Sequence, residues 1–141
     1  VFRPRQELPK TINNRTGEIM WHLGGNENEF SFIGVDSAEA VGHLGGHAFH
    51  RIPNGNVLIY DNGDRAGRRS SKVHEYRLDE TQRIAEHVWS WEPEEIISGW
   101  HRGNAQRLPN GNTVIGWGGG LGDPIPACTE VNSAGEKVFE L

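Results

Sequence analysis

Arg51-Ile-Pro-Asn-Gly-Asn56 and Arg107-Leu-Pro-Asn-Gly-Asn112 are one six-residue phrase written twice, 56 positions apart. Each is followed by a short apolar run, Val57-Leu-Ile-Tyr60 in the first copy and Thr113-Val-Ile-Gly-Trp117 in the second. Proline fixes one turn dihedral, and Asn-Gly supplies the positive φ angles of a tight hairpin. Each copy therefore reads strand, turn, strand. A second unit lies downstream of each: Val73-His-Glu-Tyr76 with Glu86-His-Val-Trp89, and Cys128-Thr-Glu-Val131 with Glu136-Lys-Val-Phe139. These are pairs of alternating strands, joined through Asp79-Glu80 in one copy and Asn132 to Gly135 in the other. A third copy stands near the start, where Thr16-Gly-Glu-Ile-Met-Trp21 matches Ala134-Gly-Glu-Lys-Val-Phe139. Trp21, Trp89 and Phe139 thus hold equivalent places in three final strands and read as packing aromatics.

Two hairpins within a period of roughly 50 to 68 residues make four antiparallel strands, the content of one β-propeller blade. The expected fold is all-β, with about two and a half such blades: a blade end over residues 5–25 and blades over 46–92 and 103–141. Residues 26–45 and 92–102 read as connections, with room for single helical turns at 36–41 and 92–97. Propellers need at least four blades. Either the chain is part of a longer one, or association of its open sheet edges completes a ring of about six blades.

Composition sets the outer bounds. At 141 residues the chain is long enough to bury a core, and its 19 glycines with five Trp and five Phe fit short aromatic strands between tight turns. Only 35% of residues are apolar and no run is long, which excludes a transmembrane helix. A net charge of −5 argues against a nucleic-acid partner. Cys128, the one cysteine, rules out an internal disulfide framework and a Cys-rich zinc site, and it reads as a small strand residue. No targeting signal is visible, and a first residue other than Met leaves a processed or truncated start open.

Several segments in order resemble the arylsulfotransferase (aryl-sulfate sulfotransferase) family. They are Trp21-His-Leu-Gly-Gly25 with Asn26-Glu-Asn-Glu-Phe30, His47-Ala-Phe-His-Arg-Ile-Pro-Asn-Gly-Asn56, Tyr60-Asp-Asn-Gly63, Ser71-Lys-Val-His-Glu-Tyr76, Val88-Trp-Ser-Trp91 and Ala105-Gln-Arg-Leu-Pro-Asn-Gly-Asn112. The resemblance spans roughly residues 14–141 and matches a middle or later portion of a six-bladed propeller. It implies transfer of a sulfuryl group from an aryl sulfate to a phenolic acceptor, without a nucleotide sulfate donor, through a transiently sulfated histidine. Imidazole is a good nucleophile near neutral pH, and splitting the transfer gives ping-pong kinetics. The resemblance makes His47 the catalytic candidate, because it precedes the Pro-Asn-Gly turn where the family has Gln-His-Asp. Lys72, where the family has Arg, together with His101 and Asn104, are the candidate sulfate-binding residues. Gly46 and Ala48 stand where the family has Gln and Asp, and Gly103 is the position equivalent to His47 in the following blade. No cofactor is implied, the partners are aryl sulfate and phenol molecules, and the family tends to be exported to the periplasm or outside the cell.

The same residues carry plainer readings. His47 is also readable as a strand-end histidine, and His101 as a loop residue. His43, His47 and His50 form an H-x3-H-x2-H cluster, but strand alternation sends His47 and His50 to opposite faces, so no metal site is assigned. Asp61-Asn-Gly63 reads as a loop start, and Arg65, Arg68 and Arg69 as a solvated basic loop. Two other functions stay open beside the enzyme. One is a non-catalytic propeller module for binding or assembly. The other is a lectin, suggested by Asn54-x-Asn56-x-Leu58-x-Tyr60, though the bulb-lectin motif has Gln where Ile52 stands and Asp where Asn54 stands.

Overall fold

A computed structural model of the chain describes residues 10–13, 15–25, 27–35, 46–63, 70–97, 99, 101–119 and 125–141. The described residues are all-β, in three sheets, and contain no helix. Strands β1 (Lys10–Ile12) and β2 (Ile19–His22) form an antiparallel hairpin. Strands β4 (Gly46–Arg51), β5 (Val57–Asp61), β6 (Lys72–Asp79) and β7 (Ile84–Trp91) form an antiparallel meander. Strands β8 (Asn104–Arg107), β9 (Thr113–Gly116), β10 (Cys128–Val131) and β11 (Lys137–Glu140) repeat that meander. The sequence predicts blades of four antiparallel strands, and these two sheets have that content.

Two expectations for the connecting segments differ from the structure. Residues 31–33, read as part of a connection, form strand β3 (Ser31–Ile33), which adds parallel to the outer edge of β7 as a fifth strand. The ladder is extended by the Ser31 N–H donating to the Arg83 carbonyl at 2.7 Å. Residues 92–97 carry no helical turn; the turn expected at 36–41 lies outside the described residues.

The Pro-Asn-Gly turns fold as their chemistry dictates. In the first, the Ile52 N–H donates to the Asn56 carbonyl and the Gly55 N–H to the Ile52 carbonyl, both at 2.9 Å. Leu108, Asn112 and Gly111 repeat this at 2.8 and 3.0 Å. Gly55 and Gly111 share φ of 89°, a left-handed value that a side chain would strain. In each turn the first Asn accepts from the second, Asn54 Oδ1 from the Asn56 N–H and Asn110 Oδ1 from the Asn112 N–H.

Packing explains why Val57-Leu-Ile-Tyr60 is apolar at every position rather than at alternate ones. Strand β5 is buried on both faces. Val57 and Ile59 pack with Trp21, Leu23, Phe30, Tyr76 and Ala85 on the side of the first hairpin. Leu58 and Tyr60 pack with Ile52, Val73, Ala105, Ile115, Trp117 and Val131 on the side of the third sheet. The three sheets therefore stack face to face with the meander in the middle, as adjacent blades of a partial propeller do.

The three equivalent aromatics differ in their cover. Trp21 is buried, edge-on to Phe30 and Phe49. Trp89 is half-buried beneath the Arg107 guanidinium, 4.9 Å from the ring centroid. Phe139 is 51% exposed, because no sheet among the described residues lies over the outer face of β8–β11. Equivalence in sequence is equivalence of facing direction, and burial follows only where a neighbouring sheet is present.

An ion pair ties the second sheet to the third. The Arg107 guanidinium donates to Glu75 Oε2 at 2.6 Å, with both side chains largely buried. Asn54 and Asn56 donate to the other carboxylate oxygen at 3.1 and 2.7 Å. Removing one partner of a buried pair leaves an uncompensated charge and costs about 3–5 kcal/mol, whereas exposed pairs contribute about 0–1 kcal/mol. Glu75→Ala is accordingly expected to lower the urea midpoint strongly, and Arg77→Ala, which removes the exposed pair with Glu86, to leave it nearly unchanged. Equal midpoints for the two variants would contradict the inter-sheet latch.

Candidate functional site

The site predicted from sequence lies at the end of the sheets where β4, β6 and β8 begin. Register shows how. Gly46 on β4 and Lys72 on β6 both pair with Asp61, the last residue of β5. Asn104 on β8 pairs with Gly116, the last residue of β9. The segment before β8 is bound to the same end of the middle sheet, because the Asn62 side-chain amide donates to the Gly99 carbonyl and, at 2.8 Å, to the Arg102 carbonyl. His47, Lys72, His101 and Asn104 thus share one end of two neighbouring sheets.

Each sits differently. His47 is exposed and occupies a β-bulge: Gly46 pairs with Asp61 and Ala48 with Tyr60, so His47 is the extra residue. A bulge bends the strand locally and re-aims the side chain it carries. The simple alternation that set His47 against His50 is therefore interrupted at His47. His43 lies outside the described residues. Lys72 has its ammonium 2.7 Å from a Glu92 carboxylate oxygen and is 17% exposed. His101 is exposed and forms an isolated bridge with Gly119, whose N–H donates to the His101 carbonyl at 3.0 Å. A side chain at Gly119 would run into the His101 ring. Asn104 is exposed, with its side chain beside Gly116.

Residues that sequence reasoning did not assign to the site hold it together. Ser71, fully buried, donates its hydroxyl to the Asn62 carbonyl at 3.1 Å and accepts the Gly99 N–H at 2.9 Å. The Ser71 N–H donates to the Ile97 carbonyl at 2.7 Å. Asp61 is buried and accepts the Gly63 N–H at 2.9 Å, closing the turn that Asp-Asn-Gly announced. Arg102 is exposed and adopts φ of 65°, a left-handed conformation unusual outside glycine. Gly103 follows at 88°, and a Cβ there would overlap the Tyr60 ring. The signal for Asn62 and Ser71 was present in Tyr60-Asp-Asn-Gly63 and Ser71-Lys, but their partners in the lead-in to β8 stand 26 to 40 residues away.

The chain matches the family model described as Arylsulfotransferase (ASST) over residues 6–140. It belongs to the arylsulfotransferase family. No curated protein and no solved structure matches it significantly.

Burial holds the Tyr60 phenol above its ordinary pKa of 10.0, only partly offset by Ser71 and the Gly118 backbone beside it. The folded protein thus favours the neutral phenol. The stability this contributes is fully present below the unfolded pKa, near 10, and is lost as pH rises through the higher folded value. Tyr60→Phe is expected to flatten the alkaline limb of stability against pH, read by urea denaturation between pH 8 and 11 (on the order of these bounds); an unchanged limb would contradict this. Gly103→Ala is expected to destabilise by more than about 2 kcal/mol, because it combines overpacking with left-handed strain. A urea midpoint within error of wild type would show that Tyr60 can yield.

Proposed function

We propose that this chain carries out the group transfer of its family at the end of the sheets where β4, β6 and β8 begin. The observation that carries the reading is the family match over nearly the whole chain, together with an exposed histidine on a bulge at that end. His47 would act as nucleophile. An imidazole nitrogen forms a bond to sulfur while the aryl S–O bond breaks and the phenolate departs, taking up a proton from solvent. A phenolic acceptor then attacks sulfur, the N–S bond breaks, and the acceptor's proton is lost to the site or to water. Lys72, His101 and Asn104 would bind the sulfuryl oxygens and stabilise charge that grows in the transition state. Lys72 presents a single ammonium rather than the bidentate fork of arginine, so its contribution is electrostatic more than orienting.

A second reading, a non-catalytic module with an eroded site, is favoured by two observations. The Lys72 ammonium already sits against Glu92. Ala48 also stands where a carboxylate would orient the histidine. One assay separates the readings. With 4-nitrophenyl sulfate and a phenol, the enzyme reading expects nitrophenolate release that falls by about 10³-fold or more in His47→Ala, as loss of a nucleophile requires. No release from wild type, or release untouched by the substitution, sinks it.

The outer face of β8–β11 supports an assembly reading as well. Asn112 donates to Glu130 at 2.7 Å just as Asn56 donates to Glu75. Phe139 pairs with Glu130 in register as Trp89 pairs with Glu75. That face repeats the surface onto which Arg107 docks, so a further sheet with an arginine at that place would complete it, from another copy or from additional polypeptide. If another copy supplies it, size-exclusion chromatography should show a dimer for wild type, shifted toward monomer in Phe139→Asp. A wild-type monomer under assay conditions would exclude the copy.

A further inference from the structure

We infer that Asn62 is a positioning residue for the site, holding the segment that carries His101, Arg102 and Asn104 against the middle sheet; this rests on the functional reading above. Asn62 is 4% exposed and touches none of the candidate ligands through its own side chain. Its amide nitrogen spends both hydrogens on backbone carbonyls of the other sheet's lead-in, those of Gly99 and Arg102. Its own carbonyl is tied to Ser71, whose hydroxyl in turn holds the Gly99 N–H. Four groups on two sheets are thereby satisfied in a closed, buried relay, which is where an unmade bond costs most.

The segment needs such a clamp because its backbone is unfavourable in isolation. Arg102 at φ 65° is strained for a residue with a Cβ, and such conformations persist only where the surroundings over-determine them. The clamp acts on the Arg102 carbonyl itself. Gly103, at φ 88° and pressed on Tyr60, then turns the chain into β8, whose first residue is Asn104. The immediate consequence is that Arg102, an exposed cation between two candidate ligands, joins the same end as His47 and Lys72. An anionic group such as the sulfuryl of an aryl sulfate fits that concentration of donors.

Asn62→Asp tests this with shape preserved, because it replaces the two donors by an acceptor facing two carbonyls. Ser71→Ala is the second variant, and Val57→Ala, in the opposite cluster, controls for lost stability. Amide hydrogen exchange at Gly99 and residues 101–104 is expected to quicken at least tenfold in Asn62→Asp and Ser71→Ala, with no such change in Val57→Ala. KM for 4-nitrophenyl sulfate should rise about tenfold in the first two while kcat changes less. Unchanged exchange would overturn the clamp, and faster exchange with unchanged KM would overturn its bearing on the site. Should wild type show no turnover, the functional reading fails separately, and inorganic sulfate titrated against the His101 ring proton signals decides the clamp. A weaker response in Asn62→Asp than in wild type supports it. An equal response, or none from wild type, overturns it.

Discussion

The middle sheet has two apolar faces, and nearly everything else in the structure follows from the need to cover both. Strand β5 places Val57 and Ile59 on one side and Leu58 and Tyr60 on the other, all essentially inaccessible. A sheet covered on one side only shows alternation; one covered on both shows a continuous apolar run. That single difference turns a hairpin meander into a stack. Once the sheets are stacked, the interface between the second and third is fastened by polar groups at both ends. At the turn end, Glu75 is shared between its own sheet's asparagines and Arg107 of the next. At the opposite end, Asn62 and Ser71 bind the lead-in to β8. Apolar burial supplies the attraction, and these buried polar groups restrict how one sheet can sit on the other.

The legible part of the fold is the part governed by local chemistry. Asn54-Gly55 and Asn110-Gly111 each mark a tight turn, and their glycines take the positive φ that glycine allows, so the turns and the strands flanking them could be read directly. Strand β3 was not legible. It has three residues, no turn signal, and a parallel pairing that depends entirely on β7 being in place. The outer turn of the middle sheet shows a related gap: Arg83 takes φ of 57°, where the corresponding turns use Gly17 and Gly135. An arginine gives no hint of that conformation. Here its guanidinium lies 5.5 Å from the ring centroid of Phe30, the residue before β3.

The candidate site was half legible for the same reason. His47, Lys72, His101 and Asn104 could be singled out by motif, and their common end follows from the repeat. The bulge that carries His47 was hidden, because a bulge is a comparison between two strands and the sequence displays only one at a time. The clamp from Asn62 was hidden because a local Asp-Asn-Gly turn explains that asparagine adequately until its distant carbonyls are known.

The two repeats also differ in size at one pair of equivalent positions, for a steric reason. His47 and Gly103 are equivalents, and Tyr60 and Gly116 are equivalents. Tyr60 reaches across to the third sheet and fills the space that a side chain at 103 would need. A histidine at 103 would collide with that ring and would carry a left-handed φ of 88° besides. The exchange of sizes is therefore coupled: a large residue at the end of one sheet's second strand demands glycine at the start of the next. Gly116, in the place of Tyr60, leaves the corresponding space on the outer face of the third sheet unfilled by its own side chain. A neighbouring sheet packed there would be free to carry a side chain where this one carries Gly103. Variation in two positions thus decides which sheet of a repeating stack has room for a side chain there, while the Pro-Asn-Gly turns that build the stack stay the same.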